Sequence, residues 1–300
     1  MTELELEHLR REKWRLDGEP IRTIEEARAF LDSVGFCLMY PTQPMPVLPT
    51  FVGACIGNDK NLPGRQQSFA DPRARKAEEF LIRLISSKSV CEVPIYGETL
   101  LLSPSVFPYF YALASDRKPR QPVQSRDRSK GSPLSEHMFR EIEKSGPLNR
   151  RQLQGQLGGA LSESALDRAL HELWAALKIT HTGLDPKTGD TWDLYYRWAP
   201  DLVNEGVSIS DAEALSAMVS KYLDCVIAAT QDELESFFSA ITSRARVAEV
   251  LRALLAAREF AYTPSESRTL ITVAHGTKAE FARPASESAA SFAPRRRRNG

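Results

Sequence analysis

The stretch SEHMFREIEKSGPLNRRQLQGQLGGALSESALDRALHELWAALKITHTGLDPKTGDTWDLYYRW (135–198) decides the fold of this chain. Met138, Phe139 and Ile142 put apolar groups on one helical face, and Gly146-Pro147 stops that helix. NRRQLQGQLGG (149–159) is a short helix with Asn149 as its N-cap and a double glycine at its end. In SESALDRALHELWAALK (162–178), Ala165, Leu166, Ala169, Leu170, Leu173, Trp174 and Leu177 form the stripe of an amphipathic helix capped by Ser162. KITHTGL (178–184) and TWDLYYRW (191–198) flank DPKTGD (185–190), and their alternating β-branched and aromatic residues predict a hairpin. Helix, turn, helix, longer helix, hairpin is the order of a winged helix-turn-helix.

The order recurs downstream. DAEALSAMVSKYLDCV (211–226) is a long amphipathic helix, and TQDELESFFS (230–239) is a short one with Thr230 as cap and Glu233 at the capping-box position. TSRARVAEVLRALLAAR (242–258) buries Val247, Val250, Leu251, Leu254 and Leu255, and EFAYTP (259–264) and RTLITVA (268–274) form a second hairpin. Upstream, helices are predicted at about 3–16, 23–34 and 72–87, followed by a hairpin around Gly97-Glu98. The expected fold is therefore mainly α with small β-hairpins (α+β), built of tandem winged helix-turn-helix domains. An N-terminal winged-helix-like module occupies 1–116, a basic linker 117–130, winged helices 131–205 and 206–275, and a disordered basic tail 276–300.

Length and composition bound the rest. A chain of 300 residues has room for two or three domains, and 42% hydrophobic with 26% charged residues is globular composition. The 39 Lys/Arg equal the 39 Asp/Glu, which excludes a uniformly basic nucleic-acid binder but not a locally basic one. Cys37, Cys55, Cys91 and Cys225 show no paired spacing, so neither a disulfide framework nor a cysteine-rich zinc site is expected. MTELELEHLRREKW lacks the apolar core of a signal peptide. The longest uncharged stretch, 33–58, holds Pro41, Pro44, Pro46 and Pro49 and so is no membrane helix. These features predict a soluble cytoplasmic protein, nucleoid-associated if it binds DNA, with no membrane, metal or cofactor.

Charge is unevenly spread. Residues 117–130 carry six Lys/Arg against one Asp, residues 201–241 carry eight Asp/Glu against Lys221, and the tail ends in RRRRNG. A helix-turn-helix presents its last helix to the major groove. In the winged helix of 131–205 that face offers Ser164, Asp167, Arg168 and His171, with Arg150, Arg151 and the wing-tip Lys187 placed for phosphates. In that of 206–275 Arg244 and Arg246 stand at the start of the third helix, among Arg252, Arg258 and a single Glu249. The acidic 201–241 face is a candidate surface for a protein partner. His8, His137, His171, His181 and His275 show no ligand spacing, and each reads as an isolated surface or core histidine. The Pro-rich segment 37–57 is expected to pack the N-terminal module. Its alternative role is to wall a pocket for an extruded base with Met39, Tyr40, Met45 and Phe51.

Three segments, GPLNRRQLQG (146–155), DLYYRWAPDLV (193–203) and VIAATQDELESFFS (226–239), resemble the AlkZ/YcaQ-type winged-helix DNA glycosylase superfamily, over about residues 20–275. The resemblance implies excision of alkylated or crosslinked bases, with Gln-x-Asp or Gln-x-Gln positioning the water that attacks the glycosidic carbon. Aligned on Gly35-Phe36 in ARAFLDSVGFCLMYPTQPMP (27–46), those two positions fall on Leu38 and Tyr40, neither of which activates water as a carboxylate does. Gln43 lies close by, but a register that reaches it leaves Met45 as its partner. The resemblance also implies a C-terminal barrel, for which no room is expected after residue 275. The expected function is therefore a DNA-binding protein of tandem winged helices, related to these glycosylases but without their catalytic pair. Its partner would be double-stranded DNA, damaged DNA included. The alternatives are a divergent glycosylase using Gln43, Asp32 or another residue, and a winged-helix protein-interaction scaffold.

Overall fold

The computed structural model describes residues 1–43, 46–67, 70–123, 131–158, 161–185, 189–266 and 268–274. Helix α1 (Glu3–Lys13) leads into three units that share one element order. In the first unit α2 (Ile24–Val34), β1 (Phe36–Leu38), α3 (Phe51–Ile56) and α4 (Pro72–Ser86) precede the hairpin of β2 (Cys91–Ile95) and β3 (Glu98–Leu102). Helix α5 (Phe107–Ala114) connects to α6 (Pro133–Ser145), β4 (Leu148–Asn149), α7 (Arg150–Gln156), α8 (Glu163–Ala175), β5 (Ile179–Asp185) and β6 (Gly189–Leu194). Helices α9 (Tyr195–Trp198) and α10 (Pro200–Ser208) connect to the third unit. That unit comprises α11 (Asp211–Val226), β7 (Ala228–Ala229), α12 (Gln231–Phe238), α13 (Arg244–Ala256), β8 (Phe260–Pro264) and β9 (Thr269–Val273). In every unit the short strand after the first helix pairs with the last strand of the hairpin, so the sheet orders are β1-β3-β2, β4-β6-β5 and β7-β9-β8. The expected fold class holds: helices with small antiparallel sheets in the winged-helix plan.

Local chemistry places the boundaries. Thr23, Asn149 and Thr230 each complete a capping box with the residue three positions on, and Asp71, Ser162 and Ser243 cap the third helices. Each cap satisfies backbone N–H groups that the helix itself leaves open. Gly35 ends α2 at φ +78, and a Cβ there would stand 2.3 Å from Cε of Lys221. Both the conformation and the space demand glycine.

The cores show how the units associate. The first and third share one continuous core, in which Phe36 of β1 stacks on Tyr222 of α11 (6.1 Å between centroids) and on Phe237 of α12 (5.9 Å). The second unit has its own core of Met138, Phe139, Ile142, Leu153, Leu166 and Leu173. Helix α1 reaches across to the third unit, where Arg10 donates to the Val226 and Ala228 carbonyls and Trp14 to that of Cys225. Among the described residues no helix is long and apolar enough to cross a membrane.

Three expectations change in detail. TWDLYYRW does not run as strand to 198: β6 ends at Leu194, and Tyr195 turns inward in α9 to stack on Phe107 at 4.9 Å. The Pro-rich segment packs the first unit as expected, yet it also supplies β1 and α3, whose Leu38, Phe51 and Val52 are fully buried. The start of the linker is held down, with Arg117 pairing with Asp211 and Val123 buried in the second core. Arg126, Arg128, Lys130 and the terminal arginines lie outside the described residues.

Candidate nucleic-acid interface

The third helix of each winged helix turns one face inward and offers the other. On α8, Leu166, Ala169, Leu170 and Leu173 are buried, which leaves Ser164, Asp167, Arg168 and His171 exposed. Arg150, at the start of α7, forms an ion pair with Asp167, while Arg151 beside it is exposed. Lys187 lies outside the described residues. On α13, Arg244 and Arg246 stand in the first turn, and each meets a carboxylate of its own unit: Asp232 at 3.4 Å and Asp211 at 3.1 Å. Exposed pairs of this kind contribute about 0–1 kcal/mol to stability. Their consequence here is electrostatic, since they offset much of the local positive charge, Asp211 being shared between Arg246 and Arg117. The predicted residues thus gather into two separate groups, one on the second unit and one on the third. Four of the eight carboxylates of 201–241 are paired in this way, since Asp224 also meets Lys13 and Lys221, and Glu233 meets Arg268.

A second feature lies where the first and third units meet. A cavity of about 420 Å³ is lined by Gln43 and Val47 of the first unit and by Tyr222, Asp232, Glu233 and Phe237 of the third. Tyr96, at the tip of the β2–β3 hairpin, forms part of its wall and also lines a neighbouring cleft of about 720 Å³. Tyr96 holds φ +51, and its hydroxyl, which donates to carbonyls at the end of α12, lies 2.7 Å from that of Ser236 and 2.5 Å from that of Phe237. This wing tip therefore spans to the third unit instead of projecting freely. Burial pushes the Tyr222 phenol far above its ordinary pKa, so it remains a neutral donor to the Val47 carbonyl at 3.2 Å. Aromatic walls with a carboxylate rim suit a planar neutral or cationic group and repel phosphate. Tyr96 was not singled out by sequence; the dipeptide Tyr96-Gly97 at a tight hairpin tip is the signal that marks it.

The two positions that the sequence register points to, Leu38 and Tyr40, are closed. Leu38 is fully buried in β1 opposite Leu100, and Tyr40 is buried with its hydroxyl donating to Glu78 of α4 at 2.7 Å. Gln43 is exposed at the cavity, and Asp32 is half-buried on α2. Tyr40 and Phe51 pack the first core, as expected of their segment, and do not take the alternative pocket role. Met45 lies outside the described residues.

His181 corrects another expectation: it is not isolated. Its Nδ1 lies 3.0 Å from the buried Glu92 carboxylate of β2, its Nε2 lies 3.8 Å from Asp190, and its ring packs on Trp192. Burial opposes protonation, but Glu92 and then Asp190 outweigh it and hold the histidine pKa above its ordinary value. The Glu92 carbonyl also accepts from Trp174 Nε1 (3.1 Å) and the Tyr195 hydroxyl (2.5 Å). Glu92 is thus the fastening between the first and second units. Among the described residues no cluster of His, Cys, Asp or Glu has the geometry to hold a metal ion.

The family model described as DNA glycosylase AlkZ-like matches residues 75–294. Among solved structures, Streptomyces sahachiroi DNA glycosylase AlkZ aligns with a TM-score of 0.59, covering 91% of this chain and 70% of that one at 16% sequence identity. At that identity the likeness shows a shared fold. No curated protein sequence matches the chain.

Proposed function

The chain belongs to the AlkZ-like DNA glycosylase family, and from that membership we propose that it is a DNA-binding protein of tandem winged helices that engages duplex DNA, damaged DNA included, without the family's usual catalytic pair. The observation that carries this reading is the state of Leu38 and Tyr40. One is sealed in a strand and the other is held by Glu78, so neither presents a group that orients water. The exposed Ser164, Arg168 and His171 of α8, with Arg151 of α7, supply polar and cationic groups for a duplex. The cavity beside Tyr96 has the size and aromatic lining to receive a displaced base.

One observation favours a second reading. Gln43, Asp232 and Glu233 line the same cavity, so a water held between an amide and a carboxylate remains chemically available there. Fluorescence anisotropy on a plain and an abasic duplex across a salt series tests binding, and base release from alkylated DNA tests catalysis. Salt-sensitive binding without base release is the expected result. Base release that disappears in Gln43→Ala establishes the second reading instead, and no binding at about 50 mM salt removes both in favour of a protein-interaction scaffold.

A further inference from the structure

The three units offer their third helices to a duplex on unequal electrostatic terms. Along α12 and α13, residues 231–258 hold four Arg against four Asp/Glu, and along α7 and α8, residues 150–175 hold three against three. In the first unit, residues 65–83 hold five Lys/Arg against three Asp/Glu. The first five residues of each third helix sharpen the contrast. Those of α8 include Glu163 and Asp167, and those of α13 include Arg244 and Arg246, paired with Asp232 and with the Asp211 that also meets Arg117. Those of α4 include Arg73, Arg75 and Lys76.

The packing of α4 leaves these cations outside. Ala74, Ala77, Phe80 and Leu84 form its buried face, while Arg75, Lys76, Glu79 and Arg83 are exposed. Arg73 is engaged by its own N-cap, Asp71, at 2.6 Å. Arg75 and Lys76 have no carboxylate within ion-pair distance among the described residues, and Lys76 Nζ lies 5.6 Å over the Phe80 ring. Arg65, in the short turn Arg65–Gln67 before α4, is exposed as well. Through Glu78 the same helix holds Tyr40, three residues before Gln43 at the cavity.

Resting on the DNA-binding reading, we infer that α4 of the first unit, and neither α8 nor α13, is the principal duplex-engaging helix, with Arg75, Lys76 and Arg65 contacting backbone phosphates. The physical reason is the counterion term. A cation already paired within the protein releases little on meeting a phosphate, whereas an open one contributes about 0.9 to the slope of log affinity against log salt.

The test compares two variants of the full chain on one plain duplex by anisotropy across a salt series. Arg75→Gln with Lys76→Gln should lower the slope by about 1.8, which corresponds to binding about 30-fold weaker at about 0.15 M salt. In the α13 variant Arg244→Gln and Arg246→Gln are combined with Asp232→Asn and Asp211→Asn, so that each lost cation is matched by a lost carboxylate, and binding should weaken by less than about 3-fold. Glu79→Gln on the same exposed face should tighten binding a few-fold, a gain that misfolding does not produce. An unchanged slope in the α4 variant beside a steep loss in the α13 variant overturns the inference and leaves the DNA-binding reading standing. Failure of the wild-type chain to bind at any salt overturns both.

Discussion

Phe36→Ala is predicted to loosen two units at once. Phe36 is fully buried in β1 and stacks on Tyr222 and Phe237, which belong to the third unit. A buried phenylalanine removes about 150–250 Å² from water, and at about 25 cal/mol per Å² that is about 4–6 kcal/mol. Alanine retains a small part of this and leaves a cavity, so truncation costs about 4 kcal/mol. Each 1.4 kcal/mol is about tenfold in an opening equilibrium, so amide protection should fall by about three decades wherever opening breaks the shared core. Hydrogen exchange resolved by segment is the assay. Protection in α2 and β1 should fall together with that in α11 and α12, while α6 and α8, which pack on a separate core, should change by less than a few-fold. Phe36→Leu, which keeps most of the volume, should show the same pattern at about one decade. Loss confined to α2 and β1, with α11 and α12 still protected, would falsify the claim that the two units share one cooperative core.

Gly35→Ala forces a Cβ to within 2.3 Å of Lys221 Cε at φ +78, and a cost of about 2–3 kcal/mol should lower the thermal midpoint by about 5 °C or more; a drop under about 1 °C refutes it. Asp116→Ala removes the carboxylate that holds the buried Lys178 ammonium at 2.7 and 2.8 Å, and a loss of about 3 kcal/mol is expected by denaturant titration, with Lys178→Met in the same background restoring part of it. For His181 the folded pKa is raised, so its contribution is complete below the unfolded value of about 6.5 and is lost as pH rises through the folded value. NMR titration should find His181 above about 6.5, and His181→Asn should flatten the fall in stability as pH rises above about 6.5. Tyr96→Phe deletes the hydroxyl that fastens the first hairpin tip to α12; a cost of about 1 kcal/mol and faster exchange at the tip are expected, and unchanged exchange there excludes the strut.

Sequence alone determined the elements whose signals are local. The stripes of α8, α11 and α13, the N-cap at Asn149, the capping box at Thr230, and the hairpins follow from side-chain period and cap chemistry within a few residues, and the repeated order of those elements identifies the winged helix. The AlkZ-like resemblance was legible for the same reason, since it rests on short runs such as GPLNRRQLQG. Tertiary structure decided what depends on partners distant in the chain. The strands β1, β4 and β7 are two or three residues long, too short for a periodic signal, and exist because a hairpin strand pairs with each. Whether an arginine is open or neutralised is also invisible locally: Arg244 and Arg246 read as the free basic face, but Asp232 and Asp211 fold against them, while Arg75 and Lys76 in the unremarked PRARK run remain open. The cavity beside Tyr96 and the Glu92–His181 fastening join residues more than 85 positions apart. Pairing across such separations is fixed by the packing of whole units, which no local pattern encodes.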